Sequence, residues 1–190
     1  AYLAGDGAPP AEGFEVFPTV RRRGPVALVG LSTGVPKPPL LATGTLGEAQ
    51  IVQTEQRLTE LGREGLCRVV LIHHPPLVTE PRFKRLTDAP AFQAMIRRAG
   101  CELILHGHNH RSEVARIGGP DGPVPVIGVT SASAAPGSKY GRARYHLVHV
   151  ERDAKGWHLG IDIRALCADG AGCELDGRLV FRSAGSGGAS

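Results

Sequence analysis

The sequence contains no apolar run that approaches the ~20 residues of a membrane span, which excludes a spanning helix. It shows no signal peptide at its start and no internal repeat, and the second absence excludes a repeat architecture. Its four cysteines match no zinc-binding spacing. Together these absences predict a cytoplasmic protein with reduced thiols and no membrane partner.

The bulk composition predicts one soluble domain. The 190 residues suffice for a hydrophobic core, and 42% of them are apolar. The net charge is +4, and the one dense basic run, Arg21–Arg23, is more typical of a solvated strand edge or turn than of a nucleic-acid interface. Cys67 and Cys101 precede strand-like runs as buried thiols do, whereas Cys167 and Cys173 could pair or stay free.

The order of periodic segments predicts a mixed sheet protein. The patterns indicate strands at 14–20 and 26–31, a long loop at 32–44, a helix with a capping box at Thr45–Glu48 and a stop at Gly65, a strand at 69–72, a helix from Asp88 to Gly100, a strand at 102–105, and strands at 112–117, 124–129, 144–150, 157–164 and 179–181. The strand–helix–strand unit at 69–105 predicts two parallel neighbours.

Two histidine clusters follow the two strands of this unit. His73-His74-Pro75-Pro76 comes directly after the first strand, and His106-Gly107-His108-Asn109-His110 comes after the second. Parallel strands present their carboxyl ends at one sheet edge, so both clusters should meet in one crevice. His108 and His110 lie two apart in a segment expected to be extended, which would point both rings to the same side. Imidazole is a ligand for Zn, Fe, Ni and Mn, so the pattern predicts a metal site.

Each cluster alone also has a structural interpretation. A double histidine before proline is commonly a strand-end feature, and the joint arrangement is what favours metal binding. His106 is expected to support the loop or the core. His146, His149 and His158 lie in the later strands without a partner pattern, and for them a structural role is favoured.

The segments Leu71–Pro76 and Leu105–His110, with one helix and one strand between them, resemble the calcineurin-like metallophosphoesterases. The resemblance covers at least residues 14–164, and His-His-Pro-Pro is most similar to the branch of cyclic-nucleotide and glycerophosphodiester phosphodiesterases. It implies an α/β (mixed α+β) fold, half of a four-layer α/β/β/α sandwich. Residues 1–182 would be the C-terminal part of one metallophosphoesterase domain, and 183–190 a flexible tail.

The same resemblance implies the site residues and the reaction. His73 and His108 would share one metal and His110 would bind a second, while His74 and Asn109 would lie beside the ligands or contact substrate. The cofactors would be two divalent or mixed-valence ions of Mn, Fe, Zn or Ni. A water activated between them would hydrolyse a phosphodiester or phosphomonoester. The expected substrate is a small phosphoester, a nucleotide included.

The sequence departs from the family in its carboxylate motifs. Asp-x-His, the Gly-Asp motifs and Gly-Asn-His-Asp do not occur, and Asp6 between two glycines lacks their context. Ala1-Tyr2 is similar to sequence that would follow Gly-Asn-His-Asp, so we expect the partner to be a missing N-terminal half, another chain or a second copy. Without a bridging carboxylate, the chain alone is expected to bind one metal weakly and to lack useful catalysis.

Two other functions stay open at this stage. A non-catalytic scaffold of the same fold would explain the missing carboxylates but not the three retained histidines. A structural histidine-rich module would bind one zinc tightly and unfold with a chelator. The loop Ser32–Gly44 and the run Thr130–Ser133 could line a pocket, although ordinary turn roles are favoured for their hydroxyls.

Overall fold

A computed structural model describes residues 16–135, 137–139 and 141–184. The loop expected at 1–13 and the tail from 185 onward lie outside this part. The elements are β1 (Thr19–Arg23), β2 (Val26–Gly30), α1 (Glu48–Arg63), β3 (Cys67–Ile72), α2 (Ala89–Ala99), β4 (Leu103–His106), β5 (Glu113–Gly118), β6 (Pro123–Gly128), β7 (Arg144–Asp153), β8 (Gly156–Leu166) and β9 (Cys173–Ala184). Neither α1 nor α2 combines the length and apolar character needed to cross a membrane.

The strands form two sheets that pack face to face. The first has the order β1-β2-β3-β4-β6-β5, and the second is the meander β7-β8-β9. In the first sheet β2, β3, β4 and β6 run parallel, while β1 and β5 pair antiparallel at the edges. Both helices cover one face of this sheet and the second sheet covers the other, which gives the described chain three layers and two cores.

The buried strand β3 shows why the two cores form. Its side chains alternate between the faces, so Val70 and Ile72 pack under the helices while Cys67 and Val69 pack against the second sheet. A continuous apolar run is what a strand buried on both faces requires. The prediction of a doubly buried parallel strand at this position is therefore confirmed.

The predicted start of α1 is wrong, although its end is confirmed. Gly47 is the N-cap, no side chain of α1 caps the helix, and Thr45 Oγ1 instead bonds Thr87 Oγ1 at 2.8 Å. The carboxylate of Asp88 accepts hydrogen bonds from the backbone N–H groups of Leu46 (2.9 Å) and Gly47 (2.8 Å). Asp88, at the start of α2, thus binds the backbone N–H groups before α1 in place of the predicted capping box.

The remaining differences concern strand lengths and the thiols. Arg21–Arg23 belong to β1, and the turn falls on Gly24 with φ 54°. The last strand begins at Cys173, earlier than expected, and runs to Ala184, two residues into the predicted tail. All four cysteines are free, so the suggested pairing of Cys167 with Cys173 does not occur. The helix stops at Gly65 and Gly100 are confirmed, each with φ 72°.

A buried ion pair fixes the end of the first sheet opposite the histidines. Arg68 Nη2 lies 2.7 Å from Glu102 Oε1, and these side chains are 7% and 5% exposed. The guanidinium also donates to the backbone oxygens of Leu58 (3.2 Å) and Ala99 (2.8 Å). Because Leu58 lies in α1 and Ala99 ends α2, Arg68 joins β3 to both helices, while Glu102 precedes β4.

Glu102→Ala should destabilise the fold strongly. The change leaves the Arg68 guanidinium buried without its carboxylate, which costs about 3–5 kcal/mol in comparable sites. Urea denaturation should show a lower midpoint with an unchanged slope. Glu60→Ala removes the exposed pair with Arg57 and should cost at most about 1 kcal/mol. Equal losses in the two variants would contradict this role for Arg68 and Glu102.

Candidate metal site

The two histidine clusters meet at the carboxyl ends of β3 and β4. Ile72 pairs with His106 in the parallel register, and the backbone N–H of Gly107 donates to the carbonyl of His73 at 3.1 Å. The pairing thus continues one step beyond the strands and places His108 next to His73. The convergence predicted from the two strand ends is confirmed.

Three histidines form a compact group. One ring nitrogen from each of His73, His74 and His108 lies within 4.8 Å of the other two, and His108 Nδ1 is 3.4 Å from His73 Nε2. Two nitrogens bound to one tetrahedral ion at ~2.1 Å would stand ~3.4 Å apart, so His73 and His108 fit a shared metal. Burial lowers the pKa of His108, with a contribution from His73, and this direction favours the neutral ring that can bind a metal.

His74 supports this group through bonds on both ring nitrogens. Its Nδ1 lies 2.7 Å from Thr33 Oγ1, and its Nε2 lies 3.0 Å from the carbonyl oxygen of Ala42. Since a carbonyl only accepts, Nε2 carries the proton and Nδ1 accepts from the Thr33 hydroxyl. Burial lowers the pKa of His74 to about 4. His74 is therefore a neutral, satisfied ring that connects the 33–44 loop to the end of β3.

Two glycines make room for buried imidazoles. A Cβ on Gly44 would stand 2.4 Å from His74 Nδ1, and one on Gly128 would stand 2.6 Å from His106 Cε1. Neither glycine has a positive φ, so space rather than backbone conformation requires them. The His106 ring is buried against Gly128, and its Nδ1 lies 3.1 Å from the Gly107 oxygen, as expected for a supporting residue.

The segment after β4 is not extended, which corrects the predicted placement of His110. His108 and His110 both have left-handed backbones, with φ 65° and 54°, so the strand alternation that would align their rings does not apply. His110 lies outside the group of three, and its role as a second-metal ligand stays a prediction. The sharp turn falls on these histidines rather than on Gly107, where a Cβ would meet nothing closer than 3.7 Å.

Asn109 anchors the strained segment between the two left-handed histidines. Its amide Nδ2 donates to Glu80 Oε1 and Glu113 Oε2, both at 3.0 Å, and its Oδ1 accepts from Lys84 Nζ at 3.0 Å. Left-handed non-glycine residues persist only when their surroundings hold them. These three bonds supply that support, and they engage the Asn109 side chain with Glu80, Glu113 and Lys84 rather than with the group of three histidines.

Sequence reasoning missed the groups that hold the loops. Thr33, Glu80 and Glu113 belong to no recognisable sequence motif. Thr33 contacts His74 from 41 residues away, and Glu80 contacts Asn109 from 29 residues away. Glu113 lies only four residues from its partner Asn109. Thr130 is buried and donates to the Arg142 carbonyl at 2.9 Å, so it joins two parts of the chain rather than acting within a local turn.

The later histidines of the chain stand apart from the group of three. His158 Nε2 lies 2.7 Å from Asp153 Oδ2, and His149 Nε2 lies 3.6 Å from Asp162 Oδ2. Burial lowers the pKa of His146. All three belong to the second sheet, in agreement with the structural role expected for them.

An open groove runs beside the histidines. It has a volume of about 360 Å³ and lies across the carboxyl ends of β2, β3 and β4. Its lining is mostly apolar, with Leu31, Leu71 and Val129, and His73 forms part of its wall. The arrangement places the ring of His73, a candidate metal ligand, next to a surface that suits an organic substituent.

The fold is similar to that of one known phosphatase, and weaker matches to two other proteins accompany it. A dimetal phosphatase from Danio rerio matches with a TM-score of 0.53 and 13% identity, over 73% of this chain and 39% of that one. GAP50, the anchor in the inner membrane complex of Plasmodium, matches with a TM-score of 0.47 and 13% identity, over 83% and 49%. A Vps29 double mutant from Entamoeba histolytica matches with a TM-score of 0.31 and 20% identity, over 69% and 77%. No family model and no curated protein matches the sequence.

The match to the dimetal phosphatase supports the fold and says nothing about the chemistry of the site. At 13% identity, the dimetal phosphatase shows a shared fold only, and the mixed α/β architecture of the described chain confirms the predicted fold class. The chain spans less than half the length of the first two matched structures. The predicted phosphodiesterase branch stays a prediction.

Gly44→Ala should weaken both stability and metal binding. The added methyl group overlaps the His74 ring, so the bonds to Thr33 and Ala42 must break, and a buried polar group left unpaired costs about 1–3 kcal/mol. Urea denaturation and Co²⁺ titration would measure the two effects. Gly34→Ala is the matched control because its Cβ meets nothing within 4 Å. Indistinguishable behaviour of the two variants would disprove the packing role of Gly44.

The metal-free protein should lose stability as the pH falls from 6.5 to 4. The pKa of His74 is depressed to about 4 from 6.5, so the folded state favours the neutral ring. The contribution of the neutral His74 ring to the free energy of unfolding is complete above pH 6.5. It falls by up to ~3 kcal/mol as the pH approaches 4. Urea titrations with a chelator at several pH values would measure the slope. His74→Gln should flatten the profile in this window, and an unchanged slope in that variant would rule His74 out as its source.

Proposed function

We propose that this protein is a metal-dependent phosphoester hydrolase whose ion is held by His73 and His108. The observation that carries the proposal is the 3.4 Å separation of their ring nitrogens at a strand edge of a fold shared with a dimetal phosphatase. Neutral nitrogen donors at this separation suit Zn²⁺, Fe²⁺, Mn²⁺ or Ni²⁺. His110 is proposed as the ligand of a second ion.

The residues around the ligands have positioning roles in this proposal. His74 fixes the strand end through Thr33 and the Ala42 carbonyl, and Asn109 fixes the backbone of His108. A bound ion would supply charge stabilisation for the phosphate and acidify a water molecule. The apolar groove beside His73 would accommodate the organic group of the ester. The proposed substrate is a small phosphodiester or phosphomonoester, a nucleotide included.

Metal content and hydrolysis of bis(p-nitrophenyl) phosphate with added Mn²⁺ test the proposal. Both should be measured on this chain and on a version extended upstream, because the chain spans 39% of the dimetal phosphatase. His73→Ala and His108→Ala should each lower metal affinity by more than roughly 100-fold, beyond the roughly 10–100-fold that the loss of a supporting residue costs. His149→Ala is the control, since that ring is 59% exposed on the second sheet.

The outcomes separate hydrolysis from its alternatives. Turnover that disappears in His108→Ala and persists in His149→Ala supports the hydrolase. A chain that binds metal in both versions without turnover would contradict hydrolysis and leave a metal-binding module. Absence of both metal and turnover from the longer version would favour the non-catalytic scaffold.

A further inference from the structure

Two loops beside the histidine group form one connected surface, which we call the rim and define as residues 34–44 and 77–87. The backbone N–H of Ala42 donates to the Phe83 oxygen at 2.9 Å, and that of Gly44 donates to the Arg85 oxygen at 3.1 Å. The Thr87 N–H returns a bond to the Gly44 oxygen at 2.9 Å. The loops are therefore held together by a short backbone ladder, and His74 attaches this ladder to the site through the Ala42 oxygen.

The rim concentrates exposed apolar side chains. The exposed fractions are 97% for Leu40, 57% for Phe83, 55% for Val78, 46% for Leu41 and 38% for Val35. The carbonyl of Phe83 accepts the bond from Ala42, which follows Leu41, so the backbones that carry these two apolar side chains lie next to each other. Single exposed apolar residues need no explanation, whereas a local concentration of them indicates an interaction surface.

Leu40 occupies a position that the fold itself does not favour for leucine. The Leu41 N–H donates to the Pro38 oxygen at 3.2 Å, and Leu40, third in this turn, has φ 72°. Glycine is the usual residue at that position of a turn with positive φ. A strained backbone that presents an almost fully exposed leucine stabilises nothing inside the protein, and such outliers commonly mark functional surfaces.

The charges exposed on the rim are basic. Lys37 and Arg82 are exposed, and Arg85 is half-buried. The carboxylate of the rim's only glutamate, Glu80, is buried and lies 3.7 Å from Lys84. The described rim thus presents apolar and cationic groups together without an exposed carboxylate. This is the composition of surfaces that bind anionic lipid headgroups through peripheral insertion.

We propose that the rim docks on an anionic phospholipid surface, with Leu40 and Phe83 entering the headgroup boundary and Lys37 and Arg82 near the phosphates. The sequence-based expectation of no membrane partner rested on the absence of a spanning segment and did not address peripheral contact. Charge complementarity favours lipid over a second copy of this chain, whose rim would carry the same positive charge. The proposal concerns binding and does not depend on hydrolysis at the histidines.

Vesicle sedimentation with the full chain tests the docking. The probes are vesicles of phosphatidylcholine alone and of equimolar phosphatidylcholine and phosphatidylserine, with a chelator present so that metal cannot bridge protein and lipid. Binding is expected on the mixed vesicles and should weaken with salt. Arg82→Gln should lower the partition coefficient roughly fivefold, as expected for one basic residue near the surface. Arg57→Gln on α1 is the control, because it removes one positive charge outside the rim and should leave vesicle binding nearly unchanged.

The apolar contribution needs variants that keep the fold. Leu40→Gly relieves the turn and removes the side chain, so it should fold at least as well as the parent and bind mixed vesicles more weakly. Phe83→Ser should act in the same direction. Val180→Ser is the matched control, because Val180 is 67% exposed on the second sheet.

Several outcomes would overturn the proposal. These are absence of binding to the mixed vesicles, equal binding by Leu40→Gly and the parent, or an equal loss in Val180→Ser. Sedimentation velocity without lipid tests whether a second copy of this chain binds the rim instead. A concentration-dependent dimer that Leu40→Gly abolishes would assign the rim to a second copy instead.

Discussion

The parallel register of β3 against β4 is the constraint on which the candidate site depends. Ile72 faces His106, and the bond from the Gly107 N–H to the His73 oxygen extends the same pairing into the loops. A shift by one residue would exchange the two faces of β4 and turn apolar side chains such as Ile104 away from their core. The hydrophobic cores that specify the register therefore also bring His73 and His108 together. At the far end, the Arg68–Glu102 pair fixes the start of the same two strands.

The site rests on loops that are held by buried polar groups rather than by apolar packing. His74 connects the 33–44 loop to β3, and Asn109 connects the segment after β4 to Glu80 and Glu113. A buried hydrogen bond contributes modest net stability, but an unpaired partner is costly, so such networks favour one geometry over its alternatives. The bonds of Asn109 account for one segment with two left-handed histidines, His108 and His110, that local preferences alone would not maintain.

The sequence was sufficient for the parts of the fold that depend on short-range patterns. The apolar run of β3 predicted a doubly buried strand, and the strand–helix–strand order predicted that two histidine clusters would meet. Contacts between distant segments carried no such signal. The Asp88 carboxylate accepts a hydrogen bond from Gly47 at the start of α1, 41 residues away in the sequence. Gly44 is required because the His74 ring packs on it. The extended conformation predicted around His110 was wrong for the same reason, because bonds from Asn109 hold a left-handed segment there.

The donor set also limits what the described group can bind. His73 and His108 can offer an ion only uncharged nitrogen donors, and within the described residues no carboxylate joins them in the group of three. The nearby carboxylates of Glu80 and Glu113 are engaged with Asn109, and Glu113 also contacts Arg111 at 2.7 Å. Two close dications repel each other strongly unless anionic ligands offset their charge. The described histidines therefore suit one ion, and a binuclear centre requires carboxylates beyond this group. The position of the histidines at the ends of β3 and β4 therefore supports the binding of one ion. Catalysis by two ions needs carboxylates in addition to this geometry.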